Sequence, residues 1–179
     1  MHKRQLWLYL WGIKQRFMIF RQATTEDAKE LISLTHTAFL RYAREVGKSV
    51  KGISETYDDI IWDIEHKYVL LAIEASEIIG AVRVETIENI SYISRLCASN
   101  SYKELNVGAM LIDKIKETVT TDALCLHTST KISSLVVFYY KCGFYIEDIS
   151  HQRGYPRGLF VCNLKNDNDI DFCKLTENK

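Results

Sequence analysis

The segment from Ile90 to Ile115 constrains the fold most strongly, because it passes from a strand pattern to a helix pattern through a short polar loop. Ile90 to Ala98 is rich in β-branched and apolar residues, whereas apolar residues after position 104 recur at helical spacing. Residues 99–107 are therefore predicted to form a corner between a strand and a helix. Such a corner offers unpaired backbone N–H groups to an anion. A plain connection with one capping glycine is the alternative.

A motif lies in this corner, in RLCASNSYKELNVGAMLI over residues 95–112. It resembles the Arg-Leu-x-Val-x-Pro-x-Tyr-Arg-Gly-x-Gly-x-Gly motif of the GNAT superfamily of N-acetyltransferases, which precedes a helix and binds the pyrophosphate of acetyl-CoA. The positions that match without a gap are Arg95, Leu96, Tyr102 and Gly108.

Two positions of the loop depart from the family motif, because Glu104 and Asn106 stand where the family has glycines. Asparagine tolerates the left-handed backbone region better than most residues, so Asn106 is expected to preserve the turn. A carboxylate beside a pyrophosphate is repulsive unless it points to solvent, and Glu104 is expected to weaken cofactor binding if it approaches the phosphates.

A second motif lies in SLVVFYYKCGF over residues 134–144, on a helix predicted from Ile132 to Cys142. It resembles the second GNAT signature, Phe/Leu-Tyr-x-Lys-x-Gly-Phe, in which the helix ends beside the thioester. Gly143 has a second explanation as the usual residue just past a helix. A tyrosine on an apolar helix is also commonly a core aromatic. The matching positions are Phe138, Tyr139, Lys141, Gly143 and Phe144.

The remaining patterns give the order β-α-α-β-β-β-α-β-α-β. This order resembles the GNAT fold and implies an α/β class with a mixed, mostly antiparallel sheet flanked by helices. The strands are predicted at Ile19–Gln22, Tyr68–Glu74, Ile78–Glu85, Ile90–Ala98, Leu124–Thr128 and Gly158–Leu164. One domain is expected over residues 18–164, with an N-terminal extension at 1–17 and a C-terminal tail at 165–179.

The N-terminal extension contains the run LWLYLWGI at residues 6–13, which is too short for a bilayer span of about 20 residues. The run is followed by Lys14, Gln15 and Arg16 and not by a small-residue cleavage site, which argues against a signal peptide. Two interpretations stay open. One is an upstream start before Met18, and the other is a short helix docked on the domain or on a partner chain.

Charge and cysteine content restrict the partners and the compartment. The 23 basic and 23 acidic residues balance, which gives no electrostatic footprint for nucleic acid or an anionic membrane. The five cysteines form no C-x-x-C pair, and the five histidines have no zinc-ligand spacing. A cytoplasmic protein without a metal is expected, and a homodimer is left open.

The family resemblance implies direct attack of an amine on the acetyl thioester of CoA. It assigns the pyrophosphate to backbone N–H groups of the loop and the pantetheine arm to the edge of the preceding strand. Tyr139 is the candidate general acid, since a phenol with a pKa of about 10 stays protonated at neutral pH. Glu85 is the candidate base, with Glu88, His151 and a water chain as alternatives. The predicted cofactor contacts are Leu96, Cys97, Ala98, Lys103, Glu104, Leu105, Asn106, Val107, Gly108 and Ala109.

The expected function is an acetyl-CoA-dependent N-acetyltransferase that modifies a primary amine of a small molecule or peptide. The resemblance places the acceptor beside Phe39, Tyr42, Trp62 and the segment His151–Phe160. The alternative is a non-catalytic member of the same fold that binds CoA or another ligand as a sensor or interaction module. A P-loop or dinucleotide fold is disfavoured, because neither glycine-rich motif is present.

Overall fold

The computed structural model describes residues 18–165 and Phe172, and within that part of the chain it contains one mixed sheet and four α-helices. The helices are α1 (Ala28–Val46), α2 (Tyr57–His66), α3 (Val107–Thr118) and α4 (Ser133–Lys141). The strands are β1 (Ile19–Gln22), β2 (Tyr68–Glu74), β3 (Glu77–Ile87), β4 (Ile90–Ala98), β5 (Ala123–Ser129), β6 (Tyr145–Ser150) and β7 (Arg157–Asn163). Three short 3-10 helices lie at Thr25–Asp27, Lys51–Ile53 and Asn100–Leu105.

The seven strands form a single sheet in the order β1-β2-β3-β4-β5-β7-β6. Neighbouring strands run antiparallel except β4 and β5, which pair in parallel. A parallel pair needs a long crossover connection, and here α3 supplies it. The predicted α/β class with a mostly antiparallel sheet is confirmed.

Local sequence signals explain where the first two helices begin and end. Before α1, the Asp27 carboxylate accepts hydrogen bonds from the Thr24 N–H at 2.8 Å and from the Arg21 guanidinium at 2.7 Å. At the start of α2, Thr56 and Asp59 form a reciprocal capping box. Gly47 ends α1 at a φ of 73°, a backbone conformation that glycine adopts without a Cβ clash.

Helices cover both faces of the sheet, so that the domain has three layers. On one face α3 and α4 pack against Leu70 and Ala72, and on the other face α1 and α2 pack against Val69 and Leu71. Alternation along β2 thus sends its side chains into two separate cores. Burying one of the leucine or valine side chains fully contributes roughly 1.5–3 kcal/mol relative to leaving it exposed.

The structure differs from the sequence prediction at two places. It adds β6, which pairs antiparallel with β7 at one edge of the sheet. The helix whose apolar period was predicted after position 104 begins at Val107, after a 3-10 helix at Asn100–Leu105. Asn106 joins the two with a φ of 52°, as expected of an asparagine that preserves the turn.

The predicted N-terminal extension at 1–17 lies outside the described residues, as does most of the predicted tail at 165–179. Within the described part of the chain, no helix is both long and apolar enough to cross a membrane.

Candidate active site

A cleft opens in the sheet where β4 and β5 part. Their parallel pairing covers three residues of each strand and ends at Tyr92 and Cys125. Beyond that point β4 continues beside β3 as far as Ala98, and β5 continues beside β7 as far as Ser129. The facing edges of β4 and β5 therefore carry backbone groups that can pair with an extended ligand inserted between the strands.

A bulge in β4 lies at the mouth of this cleft. The register of β3 against β4 shifts between Ala81 and Arg83, and Arg95 has a φ of 51°. Positive φ is uncommon for a residue other than glycine, and such backbone strain concentrates at functional sites. The bulge redirects the segment Leu96–Ala98, and all three of its residues line the cavity beside the cleft.

The cavity has a volume of about 660 Å³, which is the size of a small-molecule site. Its walls come from α1, α2, α4 and the strands β3, β4 and β5, together with the segment before β7. Of the residues predicted beside the acceptor, Phe39, Tyr42 and Trp62 line this cavity, and the segment His151–Phe160 contributes Arg153, Tyr155 and Arg157. His151, an alternative base in the sequence prediction, is exposed and is not among the lining residues.

A group of charged side chains, most of them buried, lies beside the cavity. The Arg83 side chain is 1% exposed, and it donates two hydrogen bonds to the Glu55 carboxylate, at 2.9 and 3.1 Å. It also donates to Asp63, whose second oxygen pairs with Lys67 at 2.7 Å. Arg95 donates its Nε–H to Glu55 at 2.6 Å. Glu55 therefore connects the strained bulge to the centre of the sheet.

Sequence reasoning missed this network, because its members come from the loop before α2, from α2 itself and from the strands β3 and β4. Glu55 lies in the loop before α2 and is 28 residues from Arg83 along the chain. The one usable signal was Arg83 itself, a cation inside the apolar run IIGAVRV. A charge at such a position requires a partner, but the sequence does not identify which acid supplies it.

Tyr139, the predicted general acid, lies on α4 and reaches the cavity from the opposite face of the sheet to Phe39 and Tyr42. Its side chain is 7% exposed and contacts the rings of Phe144 and Phe160. Burial raises the pKa of Tyr139 well above the usual range for a phenol. A phenol in this state donates a hydrogen bond at neutral pH more readily than it gives up its proton.

Glu85, the predicted base, lines the cavity from β3. It lies directly opposite Tyr92 of β4 in the antiparallel register, as Arg83 lies opposite Ser94. Tyr92 and His127 also line the cavity, and the Tyr92 hydroxyl and His127 Nδ1 are 3.1 Å apart. Sequence reasoning did not connect these two residues, because 35 positions separate them.

A second tyrosine lies beside β5. The Ser129 N–H donates to the Tyr42 hydroxyl at 2.9 Å, and this bond ties the end of α1 to the end of β5. Burial raises the pKa of Tyr42 to about 12, so its hydroxyl stays protonated at neutral pH. Tyr42 is therefore available as a neutral hydrogen-bonding group in the acceptor part of the cavity.

The predicted pyrophosphate loop lies apart from this cavity, whose described lining includes no residue of 103–109. Lys103, Glu104 and Leu105 belong to the 3-10 helix, and Glu104 is exposed. The N–H of Ala109 donates to the Asn106 carbonyl at 2.9 Å, so this amide is already used within α3.

Two contacts hold the loop in place. The Tyr102 hydroxyl donates to Glu77 at 2.9 Å. A Cβ added to Gly108 would lie 3.3 Å from the Phe138 ring, so the small size of this glycine allows α3 and α4 to approach closely. The close approach of Gly108 to Phe138 brings the two predicted motifs together.

The four cysteines that the structure describes are structural in character. Cys97, Cys125, Cys142 and Cys162 are buried thiols that form no disulfide, and burial raises the pKa of Cys97 to about 11. A thiol in this state is poorly nucleophilic. Among the residues that the structure describes, no group of three or more His, Cys, Asp or Glu side chains is placed to hold a metal ion.

Comparison with protein families identifies the chain. A family model described as an acetyltransferase (GNAT) domain matches residues 43–155, which is more than half of the 179 residues. The chain belongs to the GNAT acetyltransferases, the family of enzymes that carry out acyl transfer on this fold. The resemblance seen in the two motifs is thereby confirmed.

Solved structures share the fold at low sequence identity. PaiA N-acetyltransferase from Thermoplasma acidophilum, solved with coenzyme A, is 20% identical with a TM-score of 0.71, over 82% of this chain and 99% of that one. YncA of Salmonella typhimurium, a putative acetyltransferase solved with acetyl-CoA, is 11% identical with a TM-score of 0.67, over 88% and 99%. A spermidine N-acetyltransferase chimera of Vibrio cholerae SpeG and hSSAT is 12% identical with a TM-score of 0.65, over 82% and 95%. No curated protein matches the chain in sequence.

Proposed function

We propose that this protein transfers an acetyl group from acetyl-CoA to a primary amine of a small molecule or peptide. The observation that carries the proposal is the parting of β4 and β5 beyond Tyr92, beside a cavity of about 660 Å³. The cleft can hold an extended thioester, while the cavity offers the acceptor a separate approach. Family membership and the CoA and acetyl-CoA in two of the related structures support this assignment.

In this proposal the pantetheine arm pairs with the exposed edge of β4 at Leu96–Ala98. The pyrophosphate takes backbone N–H groups at the start of α3, where the positive end of the helix dipole favours an anion. Glu104 is exposed and can turn its carboxylate to solvent, which avoids repulsion of the phosphates.

Side chains from both faces of the sheet take part in the chemical step. The amine attacks the thioester carbonyl from the cavity side, where Tyr42, Glu85 and Tyr92 lie. Tyr139, from the α4 side, donates a hydrogen bond to the departing thiolate. Since its pKa is raised, it stabilises negative charge on sulfur without first losing its own proton.

A CoA-release assay with a thiol reagent tests the function. Acetyl-CoA is supplied with separate panels of polyamines, amino acids, aminoglycosides and short peptides. The expected result is saturable, acceptor-dependent release of CoA, with mass spectrometry showing an added acetyl group on nitrogen. Saturable acetyl-CoA binding without thiol release in any panel would instead support the alternative of a CoA-binding sensor or interaction module. Neither binding nor release would contradict both assignments.

A further inference from the structure

Three side chains that can carry a proton lie side by side on one face of the sheet. Glu85 of β3 pairs with Tyr92 of β4, and Tyr92 pairs in turn with Cys125 of β5. His127 is two residues beyond Cys125, so strand alternation places both on that face. Glu85, Tyr92 and His127 all line the cavity.

We propose that His127, positioned by Tyr92, is the base that accepts the proton of the attacking amine. The proposal rests on the proposed function and supplies the group that the motifs leave unspecified. Imidazole changes charge closest to neutral pH among the side chains, and is therefore suited to accept and release a proton in each turnover.

His127 lies where the attacking amine and the thioester would meet. It is the first residue on this face of β5 beyond the last parallel pair, Tyr92 and Cys125, and thus lies where the two strands part. A thioester inserted between the strands would present its carbonyl carbon at this point. Glu85 lies on β3, two strands away from β5, and would reach the same point only across Tyr92.

The hydrogen bond to Tyr92 fixes the orientation of the imidazole ring. The distance from the Tyr92 hydroxyl oxygen to Nδ1 is 3.1 Å, and the two ring centroids are 5.9 Å apart. When Nδ1–H donates to the tyrosine oxygen, Nε2 is the basic nitrogen of the ring. Tyr92 is 6% exposed, and its hydrogen bond with His127 is partly buried.

The proton transfers balance as follows. The amine nitrogen forms a bond to the thioester carbon, and its proton passes to Nε2 of His127. The carbon–sulfur bond breaks with its electron pair on sulfur, and the thiolate, hydrogen-bonded by Tyr139, takes up one proton from solvent so that CoA leaves as the thiol. His127 then releases its proton to solvent. The base lies on the cavity face and Tyr139 on the α4 face, so the two groups act on different atoms of the reaction.

Several other charged or titratable groups line the same cavity and contribute to any pH profile. They include Glu85 from β3, Tyr42 from α1, Tyr139 from α4, Arg157 from β7, and Arg153 and Tyr155 from the preceding segment. The cavity is also lined by the charged residues Arg41, Glu45, Lys51, Glu55, Asp59, Asp63, Lys67 and Arg95. Burial raises the pKa of Tyr92, while the charges of Arg157 and Arg153 act in the opposite direction. The pH dependence is therefore measured for variants at more than one of these positions.

The test is the pH dependence of kcat and kcat/KM for CoA release by full-length His127→Gln, Tyr92→Phe and Glu85→Gln variants. Glu147→Gln is the control, because Glu147 is exposed on the edge strand β6 and is not among the described residues that line the cavity. His127→Gln is expected to lower kcat by about 10² fold and to remove the acid limb of the profile, with unchanged acetyl-CoA affinity. Tyr92→Phe is expected to lower kcat by roughly tenfold and to shift that limb. Imidazole added to His127→Ala is expected to restore part of the activity, which a purely structural role of His127 would not produce.

The outcomes separate this assignment from the proposed function. An active wild-type protein whose His127→Gln variant keeps normal kcat and the acid limb overturns the role of His127 alone. If Glu85→Gln loses the acid limb of the profile and His127→Gln retains it, then Glu85 is the base and the assignment to His127 is wrong. A wild-type protein that releases no CoA with any amine overturns the function and the assignment together. If His127→Gln unfolds prematurely, the Tyr92→Phe profile decides, because an unshifted limb contradicts the proposed pair.

Discussion

Replacing Glu55 with glutamine is expected to destabilise the domain strongly, because Glu55 neutralises two arginines at once. Its side chain is 3% exposed and accepts three hydrogen bonds, two from Arg83 and one from Arg95. Removing one partner of a buried ion pair typically costs about 3–5 kcal/mol. Arg83 retains its contact with Asp63, and Arg95 is 21% exposed and can be partly rehydrated. The loss is therefore placed at the low end, about 3 kcal/mol.

Urea and thermal unfolding of Glu55→Gln, followed by circular dichroism, measure this loss. For a chain of this length, 3 kcal/mol corresponds to a fall in Tm of roughly 6–12 °C. Glu45→Gln is the matched control, because it breaks an exposed i,i+4 pair with Arg41 and is expected to cost less than about 0.5 kcal/mol. A loss below about 1 kcal/mol in Glu55→Gln would refute the reasoning, since the buried arginines would then tolerate the missing charge.

Four further predictions concern single residues. Tyr139→Phe should lower turnover by about 10² fold and leave the Kd for acetyl-CoA unchanged. If the variant instead keeps wild-type turnover and has a lower Tm, Tyr139 only packs in the core. Gly108→Asp should abolish acetyl-CoA binding in a calorimetric titration while Gly108→Ala retains most of it, and equal affinities in the two variants would contradict a phosphate site at this corner. Asn106→Gly should preserve the free energy of unfolding, whereas Asn106→Val should lower it by about 1 kcal/mol, because a φ of 52° is strained for a β-branched residue. Identical urea midpoints for the two variants would argue against the left-handed turn. The hydrogen bond from Arg21 lowers the pKa of Asp27 to about 2. The ionised Asp27 carboxylate therefore stabilises the fold fully above its unfolded pKa near 3.9, and this stabilisation is lost as the pH falls through 2. The Tm difference between wild type and Asp27→Asn should shrink over this pH range, and a constant difference would contradict the linkage.

The parts of the fold that the sequence predicted are those with strong local signals. The corner after Ala98 combines a strand run, a polar loop and a helical period within about twenty residues, and the structure has each of these elements. The missed strand β6 reads YIEDIS, with two acids and only partial burial. Its pairing with β7 depends on tertiary context, which overrides weak local propensity in edge strands.

The candidate site was predictable only where a motif carried it. The motifs led to Leu96–Ala98 and Tyr139, and the structure places all of these residues on one cavity. The contacts of Glu55 with Arg83 and Arg95, and of Tyr92 with His127, join residues that are 28 or more positions apart. Such contacts follow from strand order and register, and a single sequence fixes neither of these locally.

The open sheet has consequences for how the protein avoids unwanted association. Its two edge strands, β1 and β6, present backbone groups that could pair with the sheet of another molecule. β1 is only four residues long. β6 carries a register shift between Ile146 and Asp148, and both Glu147 and Asp148 are exposed. Short length at one edge and a charged bulge at the other are features that discourage edge-to-edge aggregation, and replacing the two acids of β6 with threonine would remove that protection while raising the strand propensity of the edge.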